Sequence, residues 1–130
     1  MDINFLSLDE ILAIHYDQIN RYGGLHGVRD FNLLISAVSR LQATFGGFDL
    51  YPDVFMKAAS LIYSLILNHS FVDGNKRTAI ASCLRFLFIN NYFVKMSKRE
   101  LVELPLKIES KKMGMTDIAT WLKKHSKKIN

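Results

Sequence analysis

The sequence predicts an all-α fold, a compact bundle with two apolar helices at its centre. Apolar residues recur at helical spacing along most of the chain, and helix-capping residues begin several of these stretches. The two most apolar stretches are each about as long as one helix. With 130 residues, of which 49% are apolar and 22% charged, the composition is typical of a single globular domain, expected to span residues 1–130.

A capping box predicts the first helix. In the segment Ser7–Glu10, the serine hydroxyl can accept a hydrogen bond from the third helical residue while the glutamate reaches back. Apolar residues follow at helical spacing as far as Gly23 and Gly24, and paired glycines favour a helix end. Asp30 can cap a second helix that continues to about Leu41. The face expected to be buried consists of Leu34, Ile35, Val38 and Leu41.

Two apolar helices are predicted in the middle of the chain. The segment Phe45–Pro52 is rich in glycine and aromatic residues and is interpreted as an ordered loop or flap. Asp53 then caps a third helix, and a fourth runs from about Asn75 to Asn90. Both are apolar almost all round, which predicts that they are buried. Residues 69–74 between them would be held rigid by packing on both sides, as a chemical site requires.

The last third of the chain carries weaker structural signals. A brief alternation at Phe93–Met96 allows one very short β-strand. A second capping box at Ser97–Glu100 predicts a helix that Pro105 is expected to end or kink, because proline lacks the N–H and clashes with the preceding turn. Gly114 breaks the chain again, and Thr116 is expected to cap a last helix.

Cysteine content and hydropathy indicate a soluble cytoplasmic protein. The single cysteine, Cys83, rules out an internal disulfide, which fits a reducing compartment. The beginning of the sequence has acidic residues where a signal peptide would need a basic and then an apolar region. No uninterrupted apolar run reaches the ~20 residues of a membrane span. We therefore expect no membrane partner.

The basic excess is confined to one end of the sequence. Residues 95–130 hold ten basic and four acidic side chains, whereas residues 1–94 hold seven and eight, giving a net charge of +5. A Lys-rich end raises the alternative of a non-catalytic nucleic-acid-binding module. Lysines on a terminal helix commonly serve only solvation, however, and no recognition-helix pattern or aromatic platform accompanies them. We therefore expect no specific nucleic-acid partner.

The nine residues His69–Arg77, with the sequence HSFVDGNKR, concentrate the groups that could perform chemistry. They lie at the predicted junction between the two apolar helices. Gly74 lets the backbone approach a ligand closely. Asn75, Lys76 and Arg77 place donors and positive charge at a helix N-terminus, which itself attracts anions. This combination predicts a cradle for phosphate.

Three further residues of this segment complete a predicted site for phosphoryl or nucleotidyl transfer. The carboxylate of Asp73 would repel phosphate unless a cation lay between them, which predicts Mg²⁺ held by Asp73 and phosphate oxygens. His69 is placed to act as base and take a proton from an attacking hydroxyl at cellular pH. Phe71 is expected to anchor the loop in the core. Arg77 would stabilise the charge that develops during transfer.

Plainer interpretations of these residues carry less weight. Asp73 and Asn75 could simply cap the helix that follows, but capping explains neither the glycine between them nor the two cations after them. A metal site built from protein ligands alone lacks a third ligand at the usual spacing. The remaining histidines, His15, His26 and His125, are expected to be satisfied structural residues.

The segment resembles the Fic/Doc signature, H-x-F-x-(D/E)-(G/A)-N-(G/K)-R. Arg21–Leu25 and the glycine pair before Asp53 are similar to the death-on-curing (Doc) branch of that family, as are the length and the helix order. The resemblance implies a Fic-like helical bundle in which the histidine is the base, the acid holds Mg²⁺, and Asn, Lys and Arg bind the phosphates of ATP or another nucleoside triphosphate. The seven matching positions are His69, Phe71, Asp73, Gly74, Asn75, Lys76 and Arg77.

The Doc branch comprises toxins of toxin–antitoxin pairs. The resemblance implies a protein kinase that phosphorylates a threonine or serine of a host protein, elongation factor Tu, and halts translation. Lys76 and Ile80 favour this reaction, since Fic enzymes that transfer AMP usually have Gly and a second Arg there. Gly74 points the other way, because Doc itself carries Ala at this position. AMP transfer to a host protein is therefore the alternative.

The resemblance also implies a protein partner. The self-inhibitory Fic motif, (S/T)-x-x-x-E-(G/N), does not occur in the sequence, so inhibition is expected from a small antitoxin. In Doc-like pairs the disordered tail of the antitoxin folds into a groove of the toxin. A pseudoenzyme that only binds its partner is disfavoured by the intact residues His69, Asp73, Asn75 and Arg77.

Overall fold

The computed structural model describes residues 2–129, which form a helical bundle with two small antiparallel β-ribbons. The all-α prediction is confirmed, although the chain has more β-structure than the one very short element expected. No helix among residues 2–129 is long and apolar enough to cross a membrane. The helices are α1 (Leu8–Tyr22), α2 (Phe31–Ser39), α3 (Val54–Asn68), α4 (Asn75–Ile89), α5 (Lys98–Glu109) and α6 (Met115–Lys124), and the 3-10 turn Arg40–Gln42 follows α2. The strands are β1 (Thr44–Phe45), β2 (Phe48–Asp49), β3 (Tyr92–Val94) and β4 (Ser126–Lys128).

Helices α3 and α4 form the centre of the core, as predicted. Ten of the fifteen residues of α3 are buried, and α3 packs against α2, α4 and α6. Seven of the fifteen residues of α4 are buried as well. Each fully buried large apolar side chain stabilises the fold by about 1.5–3 kcal/mol. The loop between these two helices is therefore fixed at both ends by the best-packed part of the molecule.

The predicted capping residues begin four helices. Ser7 and Ser97 start α1 and α5 through capping boxes in which both reciprocal hydrogen bonds are present. Asp30 caps α2 and Asp53 caps α3 through their carboxylates. Local sequence thus determined where these helices begin, because each cap satisfies backbone N–H groups that have no partner within the helix.

The buried face of α2 differs from the prediction. Leu34, Ala37 and Leu41 are buried, whereas Ile35 is 44% exposed and Val38 is only partly buried. Residues spaced by three and four lie on one stripe of a helix, and each single step rotates the side chain by about 100°. The expectation that Ile35 is buried was therefore wrong, because α3 packs against the stripe that begins at Leu34 and includes Ala37.

The segment Phe45–Pro52 overlaps a small β-ribbon, which corrects its interpretation as an ordered loop or flap without regular structure. Strands β1 and β2 pair antiparallel and are joined by Gly46 and Gly47. Both glycines have positive φ, 58° and 84°, and two such residues form the turn whose twist matches that of paired strands. The strands have only two residues each, too few to produce a recognisable alternation in the sequence.

The C-terminal third agrees with the sequence prediction only in part. Helix α5 does not end at Pro105 but continues to Glu109, because burial of Leu104 and Ile108 on either side outweighs the loss of one backbone hydrogen bond. The N-cap of α6 is Gly114, not Thr116. The N–H of Gly114 donates to the carboxylate of Asp117 at 3.0 Å. The short strand predicted near residue 93 is present as β3, and it pairs with β4 in the Lys-rich end, where the sequence gives no strand signal.

Candidate active site

Residues 69–74 connect α3 to α4 through a backbone with two left-handed positions. His69 ends α3 with φ 46° and ψ 49°, and Gly74 precedes the first residue of α4 with φ 73°. Glycine adopts this conformation without cost, whereas a histidine there is strained and must be held by its surroundings. The contacts of this loop therefore decide how accurately the His69 side chain is placed.

Arg29 holds the C-terminal end of α3. Its Nε donates to the carbonyl of His69 at 2.7 Å and its Nη2 to the carbonyl of Asn68 at 3.1 Å. The N–H groups of Arg29 and Asp30 both donate to the carbonyl of Ser70, at 2.7 and 3.0 Å. A helix C-terminus has unsatisfied carbonyls and a partial negative charge, which suit a guanidinium. Sequence reasoning missed Arg29, which lies 40 residues from His69 and belongs to no motif.

Phe71 fixes the middle of the loop. Its side chain is 2% exposed, and its backbone forms an isolated antiparallel bridge with Val28. The side-chain amide of Asn75 donates to the carbonyl of Phe71 at 3.0 Å and accepts from its N–H at 2.9 Å. The side chain of Asn75 is therefore occupied by the loop. Its backbone N–H is the group that can bind a ligand.

His15 of α1 lies directly under the loop. Its side chain is 4% exposed, and its Nε2 donates to the carbonyl of Asp73 at 2.8 Å. Burial is the main cause that lowers the pKa of His15, so the imidazole is neutral and Nε2 carries the donated proton. The interpretation of His15 as a satisfied structural residue fits this contact. The sequence did not reveal that it supports the loop, because 58 residues separate it from Asp73.

Asp73 has an ionised carboxylate with capacity for a cation. Its Oδ2 accepts from the N–H of Leu25 at 3.1 Å and its Oδ1 from the N–H of Gly74 at 2.8 Å. These hydrogen bonds, that of Leu25 first, lower the pKa of Asp73, and the positive charge of Arg77 acts in the same direction. Each oxygen keeps a free lone pair, so the carboxylate fits a Mg²⁺ ion that takes its other ligands from phosphate and water.

Among residues 2–129, no side chain caps the N-terminus of α4. Asp73 and Asn75 could have capped it, but Asp73 accepts from the N–H groups of Leu25 and Gly74, and Asn75 bonds to the backbone of Phe71. The first N–H groups of α4 and the partial positive charge of the helix end are thus available to an anion. Lys76 and Arg77 stand beside them, and Arg77 is steadied by donating from Nη2 to the carbonyl of Gly23 at 2.9 Å.

A carboxylate from outside the motif completes the site. Glu109, the last residue of α5, places Oε2 3.4 Å from Nε2 of His69 and Oε1 3.3 Å from Nζ of Lys76. The three side chains are between one third and one half exposed. Nothing in the sequence pointed to Glu109, which lies 33 residues after Lys76 in a different helix.

An apolar groove of about 570 Å³ adjoins the site between α1, α4 and α5. Lys76 and Arg77 lie at its polar end. Several apolar side chains along it are well exposed to solvent, which is unusual for a surface without a partner. The apolar residues that line it include Tyr22, Ile80, Leu84, Leu101, Val102 and Leu106.

The other residues with reactive side chains lie elsewhere. His26 contacts Asn20, and His125 contacts the carboxylate of Glu100, so the partner of each lies outside the loop. Burial in α4 raises the pKa of the Cys83 thiol to about 12, which keeps it protonated. The residues singled out in the sequence thus share one loop and one helix turn, where an imidazole, a carboxylate, two cations and free N–H groups suit chemistry at phosphorus.

Comparison with known proteins identifies relatives of this chain. A sequence model described as the Fic/DOC family matches residues 5–87. Over 69 residues the chain is 55% identical to "Toxin Doc" of Mycolicibacterium smegmatis, a match that covers 53% of each chain and thus about half the length of that relative. Over 119 residues it is 31% identical to "Protein kinase doc" of Escherichia phage P1, covering 92% of this chain and 93% of that protein.

Proposed function

Since this chain belongs to the Fic/DOC family, we propose that it is the toxin of a toxin–antitoxin pair and acts as a protein kinase. It would transfer a phosphoryl group from ATP, or another nucleoside triphosphate, to a threonine or serine hydroxyl of a host protein. The observation that carries this proposal is the uncapped N-terminus of α4 beside Lys76 and Arg77, with the Asp73 carboxylate and the His69 imidazole on the adjoining loop. Positioning and neutralisation of phosphate charge are the main requirements of phosphoryl transfer.

The relatives support the two parts of this proposal. The phage P1 relative, which aligns with nearly the whole chain, is named a protein kinase. The mycobacterial relative, which is more similar but over a shorter stretch, is named a toxin. From the resemblance to the Doc branch we propose elongation factor Tu as the acceptor, so that modification would halt translation in the cytoplasm.

Each residue of the site has a role in the proposed transfer. His69 takes the proton of the acceptor hydroxyl as its oxygen bonds to the γ-phosphorus, and the nucleoside diphosphate leaves with the electrons of the broken P–O bond. Lys76, Arg77 and the free N–H groups at the start of α4 bind the phosphates, with Gly74 allowing close backbone approach. Mg²⁺ held by Asp73 would neutralise phosphate charge when bound with the nucleotide.

AMP transfer to a host protein is the second candidate, and Gly74 favours it. Gly is the residue of the wider Fic motif, whereas Doc itself has Ala. In this chain a Cβ at Gly74 would meet Cδ1 of Ile19 at 2.8 Å, so Ala would require that side chain to shift. The packing around position 74 thus favours a glycine. Glycine is also the residue of Fic enzymes that transfer AMP, which bind the nucleotide in the sense opposite to that of Doc.

We propose the apolar groove between α1, α4 and α5 as the place where the antitoxin tail binds. Leu101, Val102 and Leu106 are 40%, 61% and 48% exposed, and an amphipathic segment would cover them. Because Lys76 and Arg77 lie at one end of the groove, a segment bound there would reach the phosphate-binding cations. This arrangement explains inhibition without a self-inhibitory motif in the chain.

Isotope transfer distinguishes the candidate functions. The purified protein, free of antitoxin, is incubated with bacterial elongation factor Tu and with lysate, Mg²⁺, and ATP labelled on the γ- or the α-phosphorus. Label from the γ-position alone supports the kinase, and label from the α-position supports AMP transfer. His69→Ala should abolish transfer with an unchanged circular dichroism spectrum, and Arg77→Ala should weaken both ATP binding and rate. Label from neither position, with wild-type protein shown to be folded, would overturn both reactions and favour a binding module.

A further inference from the structure

The imidazole of His69 faces a carboxylate that belongs to a different helix and lies outside the motif. Oε2 of Glu109 is 3.4 Å from Nε2 of His69. The backbone carbonyl of His69 is held by a hydrogen bond from Arg29. We propose that Glu109 is a positioning residue for His69, which makes the end of α5 part of the catalytic arrangement. This inference rests on the proposed role of His69 as the base.

The contact selects which ring nitrogen of His69 acts. The negative charge of the Glu109 carboxylate, 3.4 Å from Nε2, favours the neutral tautomer of His69 that carries its proton on this nearer nitrogen. Nδ1 is then the nitrogen with a free lone pair. A base whose ring is oriented by a third group is a general feature of proton transfer in enzymes, because orientation and tautomer both limit the rate.

Glu109 also stabilises the charge that forms on His69. As the acceptor oxygen bonds to phosphorus, its O–H bond breaks, the proton passes to Nδ1, and the ring becomes a cation 3.4 Å from the carboxylate. This attraction is absent while the ring is neutral. An interaction that strengthens only as the reaction proceeds contributes to kcat and leaves the KM for the nucleotide unchanged.

Lys76 links this carboxylate to the nucleotide. Its ammonium is 3.3 Å from Oε1 of Glu109 and, in the proposed function, also binds phosphate. A phosphate that draws Lys76 away from Glu109 leaves more of the negative charge of Glu109 to act on His69. The guanidinium of Arg29 is also close to His69, and it donates to the backbone carbonyl of that residue. Donor binding would thus strengthen the attraction of Glu109 for the cation that forms on His69 during transfer.

Kinetics with variants of Glu109 test the proposal. Glu103→Gln is the matched control. Glu103 lies on the same helix and pairs with Arg99, so this substitution removes the same charge at a site away from the loop. With ATP varied at saturating acceptor, we expect Glu109→Ala to lower kcat about fivefold with KM within about twofold, the range of a partly exposed ion pair. Glu109→Asp, which keeps the charge on a shorter side chain, should recover part of the rate, and Glu103→Gln should match the wild type.

Two kinetic outcomes contradict the proposal. A lower KM with unchanged kcat in Glu109→Ala would mean that Glu109 merely competes with phosphate for Lys76. An equal loss of kcat in Glu103→Gln would mean that the effect is one of overall charge. Should Glu109→Ala fail to fold, Glu109→Gln retains the size and shape of the side chain and serves for the same comparison.

A measurement that needs no transfer separates this inference from the proposed function. The ¹⁵N chemical shifts of the His69 ring report the nitrogen that carries the proton in the neutral imidazole. We expect the Nε2-protonated form to predominate in the wild type and a mixture of tautomers in Glu109→Ala. Identical ring shifts in the two proteins would overturn the positioning role. If the ring shifts differ as expected but the wild type transfers no phosphoryl group, the proposed function fails and the contact of Glu109 with His69 stands.

Discussion

The imidazole of His15 stacks on the ring of Phe71, with centroids 3.8 Å apart and planes 7° from parallel. The same imidazole donates from Nε2 to the carbonyl of Asp73, so one buried residue of α1 contacts both the aromatic and the acidic position of the loop. The aromatic residue thus provides a flat surface on which the supporting histidine is held. This stacking links the burial of α1 to the position of the Asp73 backbone in the loop.

Because burial lowers the pKa of His15, the stability of the protein should fall on acidification. Between the lowered pKa and the ordinary value of about 6.5, the unfolded chain binds more protons than the folded one. The contribution of His15 is therefore complete above about pH 6.5 and decreases below it. We expect the free energy of unfolding, measured with urea, to be lower at pH 5.5 than at pH 7.5.

The variant His15→Gln serves as the comparison. Glutamine can still donate to the carbonyl of Asp73 but does not titrate, so the variant should be less stable at pH 7.5 and show a smaller difference between the two pH values. The lowered pKa of Asp73 affects stability only at more acidic pH, near and below the ordinary carboxylate value of about 4. An equal pH dependence in the variant and the wild type would show that other groups cause the acid sensitivity.

Arg29→Lys should impair catalysis although it keeps the charge. An ammonium cannot donate in the fixed, forked geometry with which Arg29 binds the carbonyls of Asn68 and His69. Because Arg29 is exposed, we expect a loss of stability of only about 1 kcal/mol. Displacement of His69 should lower kcat about tenfold. The check is kcat beside urea unfolding, and lost stability with unchanged kcat would limit Arg29 to a structural role.

The sequence was most informative where structure depends on neighbouring residues. The capping boxes at Ser7 and Ser97 act within one helix turn, and the apolar character of α3 and α4 is a property of each stretch alone. The segment His69–Arg77 is contiguous, so its residue types and their order at the junction of two buried helices were visible directly. These features predicted both the bundle and the location of the candidate site.

The sequence did not predict those parts of the site that depend on contacts between distant segments. His15, Arg29 and Glu109 reach the loop from three different parts of the chain, and nothing in their immediate neighbours distinguishes them from ordinary surface or core residues. The loop itself was foreseeable, but the residues that orient it were not, since only the folded chain brings them together. The ribbon after α2 was missed for another reason, because two-residue strands leave no periodic signal.

Gly24→Ala should disturb the carboxylate of Asp73. A Cβ at Gly24 would lie 2.7 Å from Oδ2 of Asp73 and 3.2 Å from Nη2 of Arg77, and the φ of +120° disfavours any side chain. We expect affinity for Mg²⁺–ATP, measured by calorimetry, to fall about tenfold or more. Gly47→Ala is the control, because its φ of +84° is also strained but no atom lies within 4 Å of the added Cβ. Equal affinities of the two variants would contradict this steric argument.

The buried ammonium of Lys57 makes the stability of the ribbon depend on Asp49. Lys57 is 3% exposed, and its Nζ donates to Oδ2 of Asp49 at 3.1 Å and to the carbonyl of Tyr51. Asp49→Ala leaves the ammonium buried without its counter-ion and should cost about 2–3 kcal/mol, less than a fully buried pair because Asp49 is half exposed. Lys57→Met removes the buried charge and should cost less. Urea unfolding gives both values, and the reverse order would contradict the argument.

Substitutions in the apolar groove should separate antitoxin binding from catalysis. Val102→Asp and Leu106→Asp place a charge among the exposed apolar residues that an antitoxin tail would cover, while their side chains are outside the loop. We expect affinity for a peptide of the cognate antitoxin tail to fall at least tenfold, because binding would bury the new carboxylate without a partner. Transfer in the absence of antitoxin should be unchanged. Ile35→Asp on α2, 44% exposed and outside the groove, is the matched control and should bind the peptide normally. Normal binding by both groove variants would place the antitoxin on another surface of the bundle.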